Sequence, residues 1–131
     1  MPDDKKIILA KYRLEKAHET YLTACENFNN SKYSDANNRA YYSIFHSIRA
    51  VLALDEVDFK RHSGVISYFR EHYIKTDIFD NNLSDIIGKA SIIRNKSDYE
   101  DFYVSSKDEA NEQVNNSLVF YEAVLKYIET V

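Results

Sequence analysis

The body of this chain contains almost nothing that forces a turn. Its only proline is Pro2, and its two glycines are Gly64 and Gly88. Proline breaks a helix by removing a backbone donor, and glycine supplies the left-handed conformations of tight turns. Their scarcity over 131 residues predicts few elements, each of them long. No segment alternates at period two, and apolar residues recur at spacings of three and four, so helices are expected and a sheet is not.

The first helix is expected from about Asp4 to about Phe28, with Leu14, Ala17, Tyr21, Cys25 and Phe28 as its apolar stripe. Asn27, Asn29, Asn30 and Ser31 end it, because these side chains compete for backbone hydrogen bonds. The second helix runs from Ser34 or Asp35, either of which suits an N-cap, to about Leu54. Val65, Ile66, Phe69 and Tyr73 mark a shorter third helix. A fourth covers about Leu83 to Ile93, with Leu83, Ile86, Ile87, Ala90 and Ile93 inward. Residues 95–102, rich in charge and local hydrogen bonders, read as irregular. Ser106-Lys107-Asp108-Glu109 is a capping box that opens the last helix. Its stripe is Ala110, Val114, Ser117, Leu118, Tyr121, Leu125 and Ile128. The expected fold is an all-α bundle in one domain spanning residues 1–131. The 11 tyrosines suit a core edge or dimer interface that is apolar on one side and wet on the other.

The chemistry concentrates in two places. At about 100° per residue, Tyr41, Ile44, Phe45, Ile48, Val51 and Leu52 share one face of the second helix. Arg39, Tyr42, His46 and Arg49 share the opposite face. Two guanidiniums, a phenol and an imidazole suit an anion or a partner surface. The competing reading is a solvent-facing stripe that packs against another helix of the same chain. The second place is Arg94-Asn95-Lys96-Ser97-Asp98-Tyr99. Arg94 continues the inward stripe of Leu83, Ile87 and Ala90, and an unpaired buried charge costs roughly 3–5 kcal/mol. Asp98 and Tyr99 are near enough to partner it. Arg94 is then either half of an internal Arg–Asp clamp or a phosphate-binding group held by polar neighbours. His62, flanked by Lys60, Arg61 and Ser63, forms a basic cluster before a helix, where a phosphate could sit or where the loop is simply solvated.

A net charge of −4 excludes a generally basic nucleic-acid binder. The acidic excess lies from Asp98 onward, which leaves the earlier part free to present a basic patch. Cys25 is the only cysteine, so it reads as a small buried apolar side chain in a reducing compartment. No apolar run reaches ~18 residues, and the polar start is followed by too few apolar residues for a signal peptide, so a cytoplasmic protein without a membrane span is expected. His18 and His72 lack a ligand-spaced partner, and no H-E-x-x-H, C-x-x-C, P-loop or G-x-G-x-x-G occurs. Neither a metal nor a cofactor is expected.

Four pieces in combination carry a family resemblance. They are Ala36-Asn37-Asn38-Arg39-Ala40-Tyr41-Tyr42-Ser43-Ile44-Phe45-His46, Arg61-His62-Ser63-Gly64-Val65-Ile66 with Phe69, Arg94-Asn95 through Asp98-Tyr99, and the Ser-x-x-Glu-Ala opening of the last helix. Over roughly Ile8 to Ile128 the chain resembles a HEPN domain (higher eukaryotes and prokaryotes nucleotide-binding), of the small stand-alone prokaryotic kind. The resemblance implies an antiparallel bundle of four to five helices that forms a homodimer. Many HEPN proteins are metal-independent ribonucleases that act as toxins, encoded with a small nucleotidyltransferase that neutralises them. Their motif is Arg, a polar residue (often Asn), a few residues, then His, at a helix end facing the dimer interface.

Arg94 and Asn95 match the first two positions, and Tyr99 stands where the His is expected. Cleavage through a 2′-hydroxyl nucleophile wants a proton-transfer group titrating near 7. A histidine does so; a phenol ordinarily titrates near 10. The proton would then move through Tyr99 after a large shift, or through His46 or His62 if the fold brings one near. Some partner nucleotidyltransferases modify a tyrosine just after the motif His; Asp101 occupies that position here. The implied catalytic set is Arg94, Asn95 and Tyr99, with Arg39, Tyr42, His46, Arg49, His62 and Asp98 in binding. The alternative is a non-catalytic module that dimerises and docks a nucleotidyltransferase, or binds nucleotide or RNA. The missing His and the acidic total charge favour it.

Overall fold

The second helix is the axis around which the molecule is built. In a computed structural model, which describes residues 4–131 and so leaves Met1, Pro2 and Asp3 outside, the elements are α1 (Asp4–Asn29), α2 (Tyr33–Leu54), α3 (His62–Phe69), α4 (Asn82–Tyr99) and α5 (Lys107–Glu129). No strand occurs among the described residues, and the fold is an all-α helical bundle. The expected inward face of α2 is buried from Tyr41 to Leu52, and Ala36, Ala40, Ser43 and Ser47 are buried as well. α2 therefore touches neighbours on nearly every side: α1, α4 and α5 all pack on it.

Small residues make the α1–α2 approach close. Ala10, Ala17, Ala24, Ala36 and Ala40 are fully buried. The buried Ser43 hydroxyl donates to the Ala17 carbonyl at 2.8 Å, and the Arg13 guanidinium donates to the Arg49 carbonyl at 3.0 Å. Pairing 17 with 43 and 13 with 49 makes the two helices antiparallel. α4 also runs antiparallel to α2, since Asn37 meets Ser97 and Tyr42 meets Arg94.

Two boundaries and one buried face differ from expectation. α2 begins at Tyr33, and neither Ser34 nor Asp35 caps it; the N-cap is Lys32, with no side-chain cap bond. The Ser34 hydroxyl is engaged elsewhere, 3.0 Å from the Ser105 hydroxyl. α4 does not end at Ile93 but continues to Tyr99, so most of the segment expected to be irregular is helical. The polar side chains there reach across to α2 instead of competing with their own backbone. Asn37 Nδ2 donates to Ser97 Oγ at 3.3 Å, and Asn38 Nδ2 to Asp98 Oδ2 at 2.8 Å. α5 buries Gln113, Phe120 and Val124 beyond the expected stripe, while Leu118, Tyr121 and Leu125 are only half-buried, because α5 packs on both α1 and α2. The Ser106 cap is as expected: its hydroxyl accepts from the Glu109 amide at 3.1 Å.

α3 runs on into one π-helical turn, Arg70–Ile74, which presents Tyr73 and Ile74 to the core together. The Tyr73 and Tyr68 hydroxyls both donate to Asp55, at 2.6 and 3.1 Å, and tie that turn to the end of α2. With so little glycine, the chain turns on other residues: Ser31, Glu56 and Asp77 adopt φ of 60°, 56° and 61°.

Candidate functional site

Arg94 is the centre of the site. It stands one turn beyond Ala90 on the inward stripe of α4, where its guanidinium would meet the core were it not for α2 beneath it. Two tyrosines of α2 receive it. The guanidinium carbon lies 5.1 Å from the Tyr41 ring centre and 5.3 Å from that of Tyr42. Arg94 Nη2 donates to the Tyr42 hydroxyl at 2.8 Å, and Nε donates to Asp98 Oδ2 at 3.1 Å. Tyr99, also on α4, closes the cage with its ring 5.5 Å away. Each such cation–ring contact contributes about 0.5–1 kcal/mol near a surface. The Arg–Asp clamp thus exists, yet it occupies one edge of the guanidinium at the rim of the bundle, not a sealed interior.

The fold brings His62 to this place. As the first residue of α3, it lays its ring on Phe45 at 4.1 Å, and its Nδ1 lies 3.0 Å from the Tyr41 hydroxyl. The Tyr42 ring stands edge-on to it at 5.7 Å. Arg94 and His62 are therefore seated on the same two tyrosines. Burial, followed by the charges of Arg94 and Arg49, holds the imidazole below its ordinary range, so it is neutral near pH 7. Tyr41 is pushed up, first by burial, and keeps its phenolic proton. The contact to Tyr41 leaves Nε2 as the ring nitrogen not engaged by it. Depending on the tautomer, that nitrogen accepts a proton or donates a hydrogen bond.

The rest of the α2 stripe extends the site along the helix. Arg39 folds over Tyr42 at 5.1 Å and donates twice to Asn38 Oδ1, at 2.9 and 2.7 Å. Tyr42 and His46 have ring centres 6.3 Å apart. His46 is pushed down to about 4, first by burial and then by Lys16, Arg49, Arg39 and Arg13. At the far end Arg49 donates to Asp58 Oδ2 at 2.7 Å, and Arg13 reaches the same oxygen at 3.6 Å. Burial alone would raise the Asp58 carboxyl, but the hydrogen bond from Arg49, that from the Phe59 amide and the nearby cations outweigh it and hold it below the usual carboxylate range.

Among the expected site residues, Arg94, Asp98, Tyr99, Tyr42, Arg39 and His62 come together. His46 and Arg49 line the same face further along. Asn95 is exposed and its side chain makes no hydrogen bond to the Arg94 cage. Sequence reasoning missed Asn37, which is buried on α2 and bonds Ser97 and the Glu109 carboxylate, both at 3.3 Å. Glu109 also accepts from the Tyr103 hydroxyl. Together with Ser105, which lies 3.1 Å from Ser97, these groups anchor the end of α4 that carries Arg94. The signal in the sequence was that Asn37, four residues before Tyr41, falls on the apolar face of α2. Among the described residues no group of three or more His, Cys, Asp or Glu side chains is placed to hold a metal, and no helix is long and apolar enough to cross a membrane.

Comparison with known proteins places this arrangement. Two proteins of Methanocaldococcus jannaschii, each named "Putative toxin", are similar to it. One is 35% identical over 88% of this chain and 78% of its own length. The other is 34% identical over 84% of this chain and 77% of its own. A "UPF0332 protein" of Thermotoga maritima is 26% identical over 98% of this chain and 96% of its own length. The HEPN domain family model matches residues 10–128, so nearly the whole bundle, cage included, is a HEPN domain and the chain belongs to that family.

Proposed function

We propose that this HEPN protein is a toxin-like effector that acts on RNA, as a metal-independent endoribonuclease in which Arg94 holds the scissile phosphate and His62 moves the proton. One observation carries the reading: a guanidinium and a neutral imidazole rest on the same pair of tyrosine rings. The guanidinium supplies charge for the phosphorane-like transition state. With Nδ1–H turned to the Tyr41 oxygen, His62 accepts the 2′-hydroxyl proton through Nε2 as that oxygen bonds to the adjacent phosphorus; the P–O5′ bond breaks, the 5′-oxygen takes a proton from water, and a 2′,3′-cyclic phosphate remains. Asp98 and Tyr42 keep Arg94 in place, and Tyr99 covers it from the solvent side. His62 thereby fills the role that the missing motif histidine would have had. Two such sites facing one another in a homodimer, with a nucleotidyltransferase as the neutralising partner, complete the proposal.

The test is cleavage of RNA by purified protein in the presence of EDTA. Wild type is compared with Arg94→Ala and His62→Gln. Removing a general base lowers the rate by about 10²–10⁴. Equal cleavage by all three, or none by wild type, removes the reading.

A second reading rests on a different observation. Phe102 is 97% exposed, Val104 85% and Tyr99 70%, an apolar patch beside the cage. Such a patch suits a partner surface, and a non-catalytic HEPN module that docks a nucleotidyltransferase would need one. Co-purification with the neighbouring gene product, lost in Phe102→Ser, supports it; RNA turnover with no such partner counts against it.

A further inference from the structure

The cage accounts for Arg94 and His62 but not for the cations that continue away from it along α2 and across to α1. Lys16 is exposed on α1, and neither it nor Arg39 makes an ion pair among the described residues. Arg39 is held instead by a neutral amide oxygen and by the Tyr42 ring, which orients the guanidinium without spending its charge. Arg13 and Arg49 share a single carboxylate, Asp58. The half-buried His46 stands between Arg39 and Arg49 on the same face of α2, and the charges of Lys16, Arg49, Arg39 and Arg13 all hold its proton affinity down. Glu15 and Glu19 border the shallow hollow beside Lys16, but neither is within ion-pair distance of it. A net excess of positive charge therefore runs in a row: Arg49, His46 with Lys16 across from it, Arg39 on Tyr42, and then Arg94 through the Tyr42 hydroxyl.

We propose that this row, Lys16, Arg39 and Arg49, is a track for the phosphates of a single RNA strand whose next phosphodiester lies at Arg94. The proposal rests on the reading of Arg94 as a phosphate-binding group. From Arg39 to Arg49 the helix advances about 15 Å. A stacked strand rises about 3.4 Å per nucleotide, so the track spans about four phosphates. Guanidiniums grip phosphate oxygens in pairs, and the neutral, desolvated His46 adds a hydrogen-bond donor without a charge. Continuity with the cage selects a nucleic-acid strand over an acidic protein surface: the row ends at the group that would hold the scissile bond.

The experiment measures binding of a fluorescein-labelled, fully 2′-O-methylated oligoribonucleotide, which cannot be cleaved, against potassium chloride concentration. Each single-strand phosphate contact contributes about 0.7 to the slope of log K on log salt. Lys16→Gln, at an exposed position where folding is not at stake, lowers the slope by about 0.7. The Lys16→Gln/Arg39→Gln pair lowers it by about 1.4. Wild-type slope and affinity in both variants, with binding lost in Arg94→Gln, overturn the track and leave the cage standing. No binding by wild type at any salt overturns both. Displacement of the oligonucleotide by poly-glutamate at equal charge concentration assigns the row to acidic proteins and overturns the strand.

Discussion

His46 makes the fold sensitive to mild acid, and the size of the effect follows from its surroundings. In the unfolded chain an imidazole titrates near 6.5; in the fold it is pushed down to about 4 by burial and by Lys16, Arg49, Arg39 and Arg13. Between those two values the unfolded chain binds a proton that the folded chain refuses. Stability therefore falls as the pH falls from 6.5 towards 4, and is restored as the pH rises. The full difference corresponds to about 3 kcal/mol at ~1.4 kcal/mol per tenfold change in proton affinity. The ring is only half-buried, and solvent screening of its cationic neighbours reduces this to roughly 1–2 kcal/mol. His46→Gln keeps a polar side chain that does not titrate. Urea unfolding followed by circular dichroism at pH 7 and pH 4.5 gives the loss for each protein. Carboxylates and the other histidines titrate alike in both, so the difference between the losses isolates His46. Wild type loses about 1–2 kcal/mol more than the variant, a displacement of its urea midpoint by about 0.5–1 M. Equal losses would falsify the account of His46 as a neutral ring among cations.

Three further outcomes are expected. If the α1–α2 row takes up phosphates, their negative charge offsets the cations around His46; its imidazole then titrates above about 4 in the oligonucleotide complex, as read by NMR, and an unmoved titration excludes phosphates from its vicinity. Glu56→Gly removes a side chain from a left-handed position and raises stability by about 1 kcal/mol, seen as a higher Tm; the lost Lys6–Glu56 pair, 3.4 Å between a half-buried lysine and an exposed carboxylate, weighs less than that. Asn37→Ala leaves Ser97 and Glu109 without their buried donor and costs about 1–3 kcal/mol. Amide exchange in residues 97–99 accelerates in that variant ahead of the rest of α4, whereas uniform acceleration would mean that Asn37 does not anchor the helix end.

The bundle was legible because its apolar periodicity is continuous and almost no proline or glycine interrupts it. The inward residues of α2 from Tyr41 to Leu52 could be named one by one, as could the Ser106 cap. Helix ends were less legible where side chains had partners far along the chain. Residues 95–102 look irregular locally because Asn, Ser and Asp favour turns, but Asn37 and Asn38, about 60 residues earlier, take up those polar groups and let α4 continue. The same limit applies to the site. Arg94 and its two neighbours Asp98 and Tyr99 lie within one and a half turns of helix and could be grouped from spacing. The seat of His62 on Phe45 and Tyr41 is a tertiary contact between α3 and α2, and nothing local to Arg61-His62-Ser63 indicates it. Lys16 joins the α2 stripe only because small alanines bring α1 close.

α2 carries Arg39 and Arg49 on its one open side, flanked by cations of α1 and α4, while its remaining sides are the core of the molecule. Most of the site's side chains consequently stand on long helices, and the two that do not, Asp58 and His62 at the start of α3, are tied to α2 through Arg49 and Tyr41. If the face binds as proposed, a ligand meets side chains already held by their neighbours and loses little ordering entropy on arrival. Control over such a surface has to come from outside it, by something that covers the face or alters one of its side chains.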